Sequence, residues 1–264
     1  MSTESEVFDG DDTTRGIPFR LSHTLTGNPI KILLPRNDEE RRIAAFIGAP
    51  GDYPFEDFLH KATLRRFAWI GDNYLETQPG KLRLLLVSES FYAVSDSANR
   101  GENPSRELVS AYLDRLEKKR EPDERRNWCA YYTRIFHLVV GRSHVSTEEC
   151  KAFWSRVVFY HYIQAPVGTG PRQRPSDDAW ASGKKTFERV IRESSPTHVI
   201  VLGFELWNHI LKTGLIRQTD RQYGCVVVTP TEIPAMATKH PSAFMQTSTW
   251  SGKVRQFIGS EFPI

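Results

Sequence analysis

Leu82-Arg83-Leu84-Leu85-Leu86-Val87-Ser88-Glu89-Ser90-Phe91-Tyr92 is the stretch on which the fold turns. Its apolar run is short, lacks alternation and is flanked by breakers, so it reads as a central parallel strand buried on both faces. The strand then stops and presents polar side chains. In open α/β sheets, ligands bind beyond the carboxyl ends of the strands. Ser88, Glu89, Ser90, Phe91 and Tyr92 therefore stand where a site belongs. Near the other end of the chain, Thr238-Lys239-His240-Pro241-Ser242-Ala243-Phe244 follows the short apolar stretch Ala235-Met236-Ala237. A strand ending there is expected to bring His240 beside Glu89, a carboxylate facing an imidazole across a crevice.

Outward from this strand, apolar runs at 157–164 and 197–203, with shorter ones at 225–229 and 234–238, read as further strands. Helical patterns separate them. The spacing predicts helices over 105–119 and 123–140, and over 204–211 and 249–258. Ser146-Thr147-Glu148-Glu149 is a capping box that opens another helix, and Ser176-Asp177-Asp178 caps one more. Apolar residues from Phe55 to Trp69 recur at helical spacing, and 30–34 and 37–48 suggest a short strand and a helix. Strands alternating with helices imply an α/β fold. The expectation is a three-layer α/β/α domain over 29–264, built on a central, mainly parallel four-stranded sheet. Residues 1–28, rich in Ser, Thr, Asp and Gly, read as a flexible leader.

The 264 residues, 39% of them hydrophobic, suffice for one sizeable core. A formal net charge of +3 permits nucleic acid as a partner without requiring it. Cys129, Cys150 and Cys225 form no C-x-x-C pair, which argues against a zinc site or a cysteine-bound cluster. The sparse, odd cysteine count suits a reducing cytoplasm. No apolar run is long enough for a membrane span. The expectation is a monomeric cytoplasmic protein without metal or organic cofactor.

Two readings of several site residues stand side by side. Glu89 caps the turn after its strand, or acts as acid, base or charge stabiliser. Ser88 and Ser90 are turn hydroxyls, or Ser90 is a nucleophile served by a histidine. Esterases with a serine on such a turn often carry Asp three residues before their His, and here that position is Ala237. Pro241 fixes the chain after His240, and Ser242 offers a hydroxyl and an N–H suited to a phosphate. Phe244 is a core anchor, or a wedge for a base stack. His161 reads as a buried strand residue, and Arg172, Arg174 and Lys239 as solvated charges.

Taken together, Ser88-Glu89-Ser90-Phe91-Tyr92 and His240-Pro241-Ser242-Ala243-Phe244 resemble the two signature motifs of the uracil-DNA glycosylase superfamily. The first motif there is G-Q-D-P-Y, G-E-x-P-G or G-x-N-P-G, and the second begins H-P-S after the last strand. The likeness runs from about Lys81 to Ile258. Ser88 stands for the usual glycine and Phe91 for the usual proline, Ser90 occupies the catalytic aspartate position of one branch, and Glu89 matches the glutamate of G-E-x-P-G. His161 stands where a base-reading asparagine is expected.

The resemblance implies base flipping and hydrolysis of an N-glycosidic bond, leaving an abasic site in DNA. Glu89 is then expected to stabilise the cationic sugar or orient water, and His240 to hydrogen-bond the departing base. Ser88, Ser90, Phe91, Tyr92 and His161 are expected to surround the base. Arg172, Arg174, Lys239, Ser242 and Phe244 are expected to hold the DNA. Some relatives attack modified phage bases as an antiviral defence. The histidine at the base-reading position points to a modified pyrimidine, with glucosylated hydroxymethylcytosine a candidate. A uracil-excising repair enzyme and a non-catalytic DNA binder of the same fold are the alternatives. Glu89, Ser90 and Asp96 all stay open as the essential group.

Overall fold

The computed structural model describes residues 64–74, 81–92, 103–118, 127–142, 146–168, 173–228, 232–243 and 246–259, with a few single positions besides. All of these lie in one compact unit, Asp52–Ile264. The expected leader and the elements expected before residue 52 lie outside the described residues, as does most of the helix expected from Phe55.

Among the described residues, seven strands form one mixed sheet in the order β1-β3-β2-β4-β7-β6-β5. They are β1 (Trp69–Ile70), β2 (Leu84–Ser88), β3 (Val157–His161), β4 (His198–Leu202), β5 (Ile216–Asp220), β6 (Tyr223–Val226) and β7 (Ile233–Thr238). The α/β class is observed, but the four-stranded, mainly parallel sheet is corrected to seven strands of mixed direction. Strands β3, β2, β4 and β7 run parallel at the centre, while β1, β6 and β5 add antiparallel edges. Trp69, expected on a helical face, lies in β1, where its indole N–H donates to the Trp154 carbonyl at 2.8 Å.

Among the described residues, 64–67 are helical, and the longer helices are α1 (Pro104–Glu117), α2 (Asn127–Val140), α3 (Thr147–Trp154), α4 (Asp177–Ser194), α5 (Phe204–Lys212) and α6 (Thr247–Ile258). Their starts follow local chemistry. Ser146 and Glu149 make a reciprocal capping box, and the side chains of Asn103 and Ser176 accept backbone N–H bonds at the heads of α1 and α4.

Alternation along the parallel strands sorts the core into two layers. Leu85, Val87, Val158, Tyr160, Val199 and Val201 pack with Phe187 and Val190 of α4 and with Leu206, Trp207 and Ile210 of α5. Leu84, Leu86, Phe159, Ile200 and Leu202 pack on the other face with side chains of α1, α2, α3 and α6. Both faces of the central strands are covered, which is why their sequences are continuous apolar runs. No described helix is long and apolar enough to cross a membrane.

Candidate active site

The register of the central strands builds the site. Ser88 pairs with His161 on one side and with Leu202 on the other, and Leu202 pairs with Thr238. The carboxyl ends of four strands therefore lie level, and the segments that leave them converge. The chain after β2 stays extended beside the chain after β3. The N–H groups of Tyr162, Ile163 and Val167 donate to the carbonyls of Ser88, Glu89 and Phe91 at 2.8, 2.9 and 3.0 Å. After β7 the chain turns back on itself, with the Ala243 N–H donating to the His240 carbonyl at 2.9 Å. Arg134 of α2 pins this turn through a 3.1 Å bond to the Pro241 carbonyl.

Glu89 is nearly enclosed, with its side chain 15% exposed, and the Arg174 guanidinium stands 3.9 Å from it. Arg174 makes its closer ion pair with Glu205 at 2.6 Å. Burial raises the Glu89 carboxyl above the ordinary range, the Glu205 charge raises it further, and Arg174 opposes both. Ser88 is 1% exposed, so its hydroxyl needs a partner. Tyr131 of α2 supplies one, with 2.7 Å between the two oxygens. Burial pushes the Tyr131 phenol above its ordinary range, and the Glu89 charge adds to the rise.

His240 has a defined tautomer. The Ser242 N–H donates to its Nδ1 at 3.3 Å, and the Ser242 hydroxyl lies 2.6 Å from the same nitrogen. A backbone N–H can only donate, so Nδ1 is unprotonated and Nε2 carries the hydrogen. Burial pushes His240 down to about 4 against a smaller upward pull from Glu205, which keeps the ring neutral at neutral pH. Its plane rests against Tyr131, with ring centroids 5.3 Å apart and a 34° tilt. Gly203, at the β4–α5 junction, also lies against the imidazole. Its φ of 132° favours glycine, and a Cβ there would meet His240 Cδ2 at 3.5 Å.

His161, 2% exposed, is held by Ser105 at the head of α1. Its backbone N–H donates to Ser105 Oγ at 3.0 Å, and its Nδ1 lies 3.0 Å from the same oxygen. Oγ has a second lone pair and a proton, so the bond to Nδ1 runs in the direction that the imidazole tautomer sets, and Nε2 is the ring nitrogen left for a further partner. Burial and the neighbouring His240 push His161 down to about 3, so this ring is also neutral. Phe91 and Phe159 meet it edge-on at 5.3 and 4.8 Å.

The structure thus gathers Ser88, Glu89, Phe91, His161, His240 and Ser242 at one end of the sheet. Among the described residues, Glu89 and His240 share no hydrogen bond or ion pair. Tyr131 rests against the His240 ring and is bonded to Ser88, the residue before Glu89. The Ser242 hydroxyl and N–H are both turned onto His240. Arg174 is occupied by Glu205. Ser90 is half-buried, while Tyr92 and Lys239 are exposed. Arg172, Phe244 and Asp96 lie outside the described residues.

Tyr131, Arg134, Ser105 and Glu205 were not anticipated. Tyr131 and Arg134 lie three apart on one helix, a spacing that puts two polar ends on one side of an apolar segment. That was the available signal for α2. Among the described residues, no group of three or more His, Cys, Asp or Glu side chains is placed to hold a metal ion. No protein-family model matches the chain, and no curated protein matches it.

Proposed function

We propose that the chain is a monofunctional DNA glycosylase that flips a modified pyrimidine out of DNA, hydrolyses its N-glycosidic bond and leaves an abasic site. The observation that carries this reading is the level register of Ser88, His161, Leu202 and Thr238. It gathers an enclosed carboxylate and two neutral imidazoles around one strand end. The likeness of the flanking motifs to uracil-DNA glycosylases supports the same reading.

Breaking the bond between C1′ and the base nitrogen builds positive charge on the sugar and negative charge on the base, by analogy with glycoside hydrolysis. Ionised Glu89 stabilises the sugar cation or orients the water whose oxygen joins C1′. His240 donates its Nε2–H to the base as charge gathers there, a bond that strengthens toward the transition state. A neutral donor suits this role, because its proton need not be lost for the next turnover. Phe91 borders the base, and Ser90 and Tyr92 lie beside it. His161 has one ring nitrogen, Nε2, left for the base, either a donor or an acceptor, where an amide would offer a donor and an acceptor together. This difference favours a base other than plain uracil, and glucosylated hydroxymethylcytosine of phage DNA is the first candidate. Lys239 and Arg172 contact the DNA backbone, and Phe244 fills the gap left by the flipped nucleotide. The protein acts as a monomer in the cytoplasm and needs no cofactor.

The test is an abasic-site assay on unmodified, uracil-containing, hydroxymethylated and glucosylated DNA, read by alkaline strand cleavage. Cleavage of one modified DNA, abolished in Glu89→Gln and His240→Ala, is the expected result. Cleavage of the uracil DNA alone would instead favour a repair enzyme. DNA binding without base loss would favour a non-catalytic reader.

A further inference from the structure

One residue touches both halves of the candidate site. Tyr131 projects from α2, its hydroxyl bonded to Ser88 at 2.7 Å and its ring against His240 at 5.3 Å. One turn along the same helix, Arg134 holds the Pro241 carbonyl. Behind Tyr131 stands Tyr132, buried and perpendicular to it at 5.3 Å, which packs in turn on Trp154 and Phe159. The helix is thereby fixed to the sheet, and two of its side chains fix the turn after β7.

Packing alone does not call for this arrangement. Two apolar residues would fill the Ser88–Tyr131 space without a polar pair to satisfy. A hydrogen bond at the end of a central strand instead sets the phenol rotamer, and with it the ring plane against which His240 lies.

We infer that Tyr131 is the positioning residue of the site, holding the strand end that carries Glu89 and the imidazole of His240 at a fixed separation and covering one face of that ring. The inference rests on the proposed glycosylase reading for the use made of His240, but not for the placement itself. The phenol takes no part in bond breaking. Tyr131 covers one face of the imidazole, while Ser242 fixes Nδ1 from the turn. Glu205 and His161 are the other titratable groups acting across this space.

The test uses the full chain with histidine labelled by nitrogen-15, as wild type, Tyr131→Phe and Tyr131→Leu. In the wild type, the His240 ring is expected to show the Nε2–H pattern down to low pH, with its midpoint near 4. Tyr131→Phe keeps the ring and should keep that pattern, while single-turnover base release falls about 10-fold and DNA affinity changes by less than about 2-fold. Tyr131→Leu should uncover the imidazole, move the His240 midpoint up toward 6.5, and lower base release by about 100-fold. A folded Tyr131→Leu protein with wild-type imidazole signals would overturn the inference. If Tyr131→Leu does not fold, the split between release and affinity in Tyr131→Phe decides, and equal losses in both would overturn it. If the wild type releases no base from any DNA, the glycosylase reading fails, and the imidazole signals still decide the role of Tyr131.

Discussion

Arg174 places its guanidinium 2.6 Å from the Glu205 carboxylate. This pair sets the charge that Glu89 experiences, since Glu205 raises the Glu89 carboxyl and Arg174 lowers it. If Glu89 works ionised, activity falls as pH drops through its raised midpoint. Arg174→Ala removes the lowering charge and leaves Glu205 unpaired, so the acidic limb of the rate profile should move to higher pH. Glu205→Gln should move it to lower pH. Single-turnover base release between pH 4 and 8 measures both shifts, and movement in the same direction would contradict the assignment.

Gly203→Ala probes the backbone at the junction beside His240. The added Cβ lies at ordinary contact distance from the imidazole, so the cost comes from φ of 132° rather than from a clash. Backbone strain of this kind is worth about 1–3 kcal/mol. Denaturant unfolding should report that loss, with the His240 tautomer unchanged.

Ser105→Ala removes the hydroxyl that serves both the backbone N–H and Nδ1 of His161. Two buried polar groups lose their partner, which costs about 1–3 kcal/mol each when nothing replaces it. The unfolding midpoint should drop accordingly. In the proposed enzyme, discrimination between bases should weaken more than the rate on the best substrate.

Acid should unfold this protein in a window set by its two site imidazoles. Both are held neutral, His240 at about 4 and His161 at about 3, against an ordinary value of 6.5. Between these limits the unfolded chain binds more protons than the folded one, so stability rises with pH. Their contribution is complete above about 6.5 and is lost as pH falls toward 4 and then 3. His161→Gln should flatten the lower part of that curve.

Arg134→Met keeps much of the side-chain bulk and loses the bond to the Pro241 carbonyl. The expected stability change is about 1 kcal/mol. In the proposed enzyme, base release should fall further than DNA affinity, because the turn that carries His240 is freed while the surface is little altered.

The central strands could be read from sequence because burial on both faces leaves a continuous apolar run at β2, β3 and β4. β5 could not. Four of its five residues, Arg217 to Asp220, are exposed, and its position at the sheet edge demands no apolar pattern. β1 was missed for another reason. Trp69 and Ile70 follow a helical pattern directly, and only the apposition of β3 makes them a strand. The site divides along the same line. Glu89, His161 and His240 stand at strand ends, where sequence position alone marks them. Tyr131, Ser105 and Arg134 sit on helices, and Glu205 in the first turn of another, so their partners depend on how the helices dock. Nothing in the local sequence states that Ser242 will bond back to His240 or that Arg174 will choose Glu205.

The level strand ends have a consequence for how activity can arise during folding. Ser88, His161, Leu202 and Thr238 become neighbours only through three crossover connections. Closing those long loops costs chain entropy before any contact between the strands repays it. No hairpin, half-domain or early intermediate can therefore contain a working site. If the proposed function holds, a nascent chain stays inactive until its last strand, β7, has been made and inserted between β4 and β6.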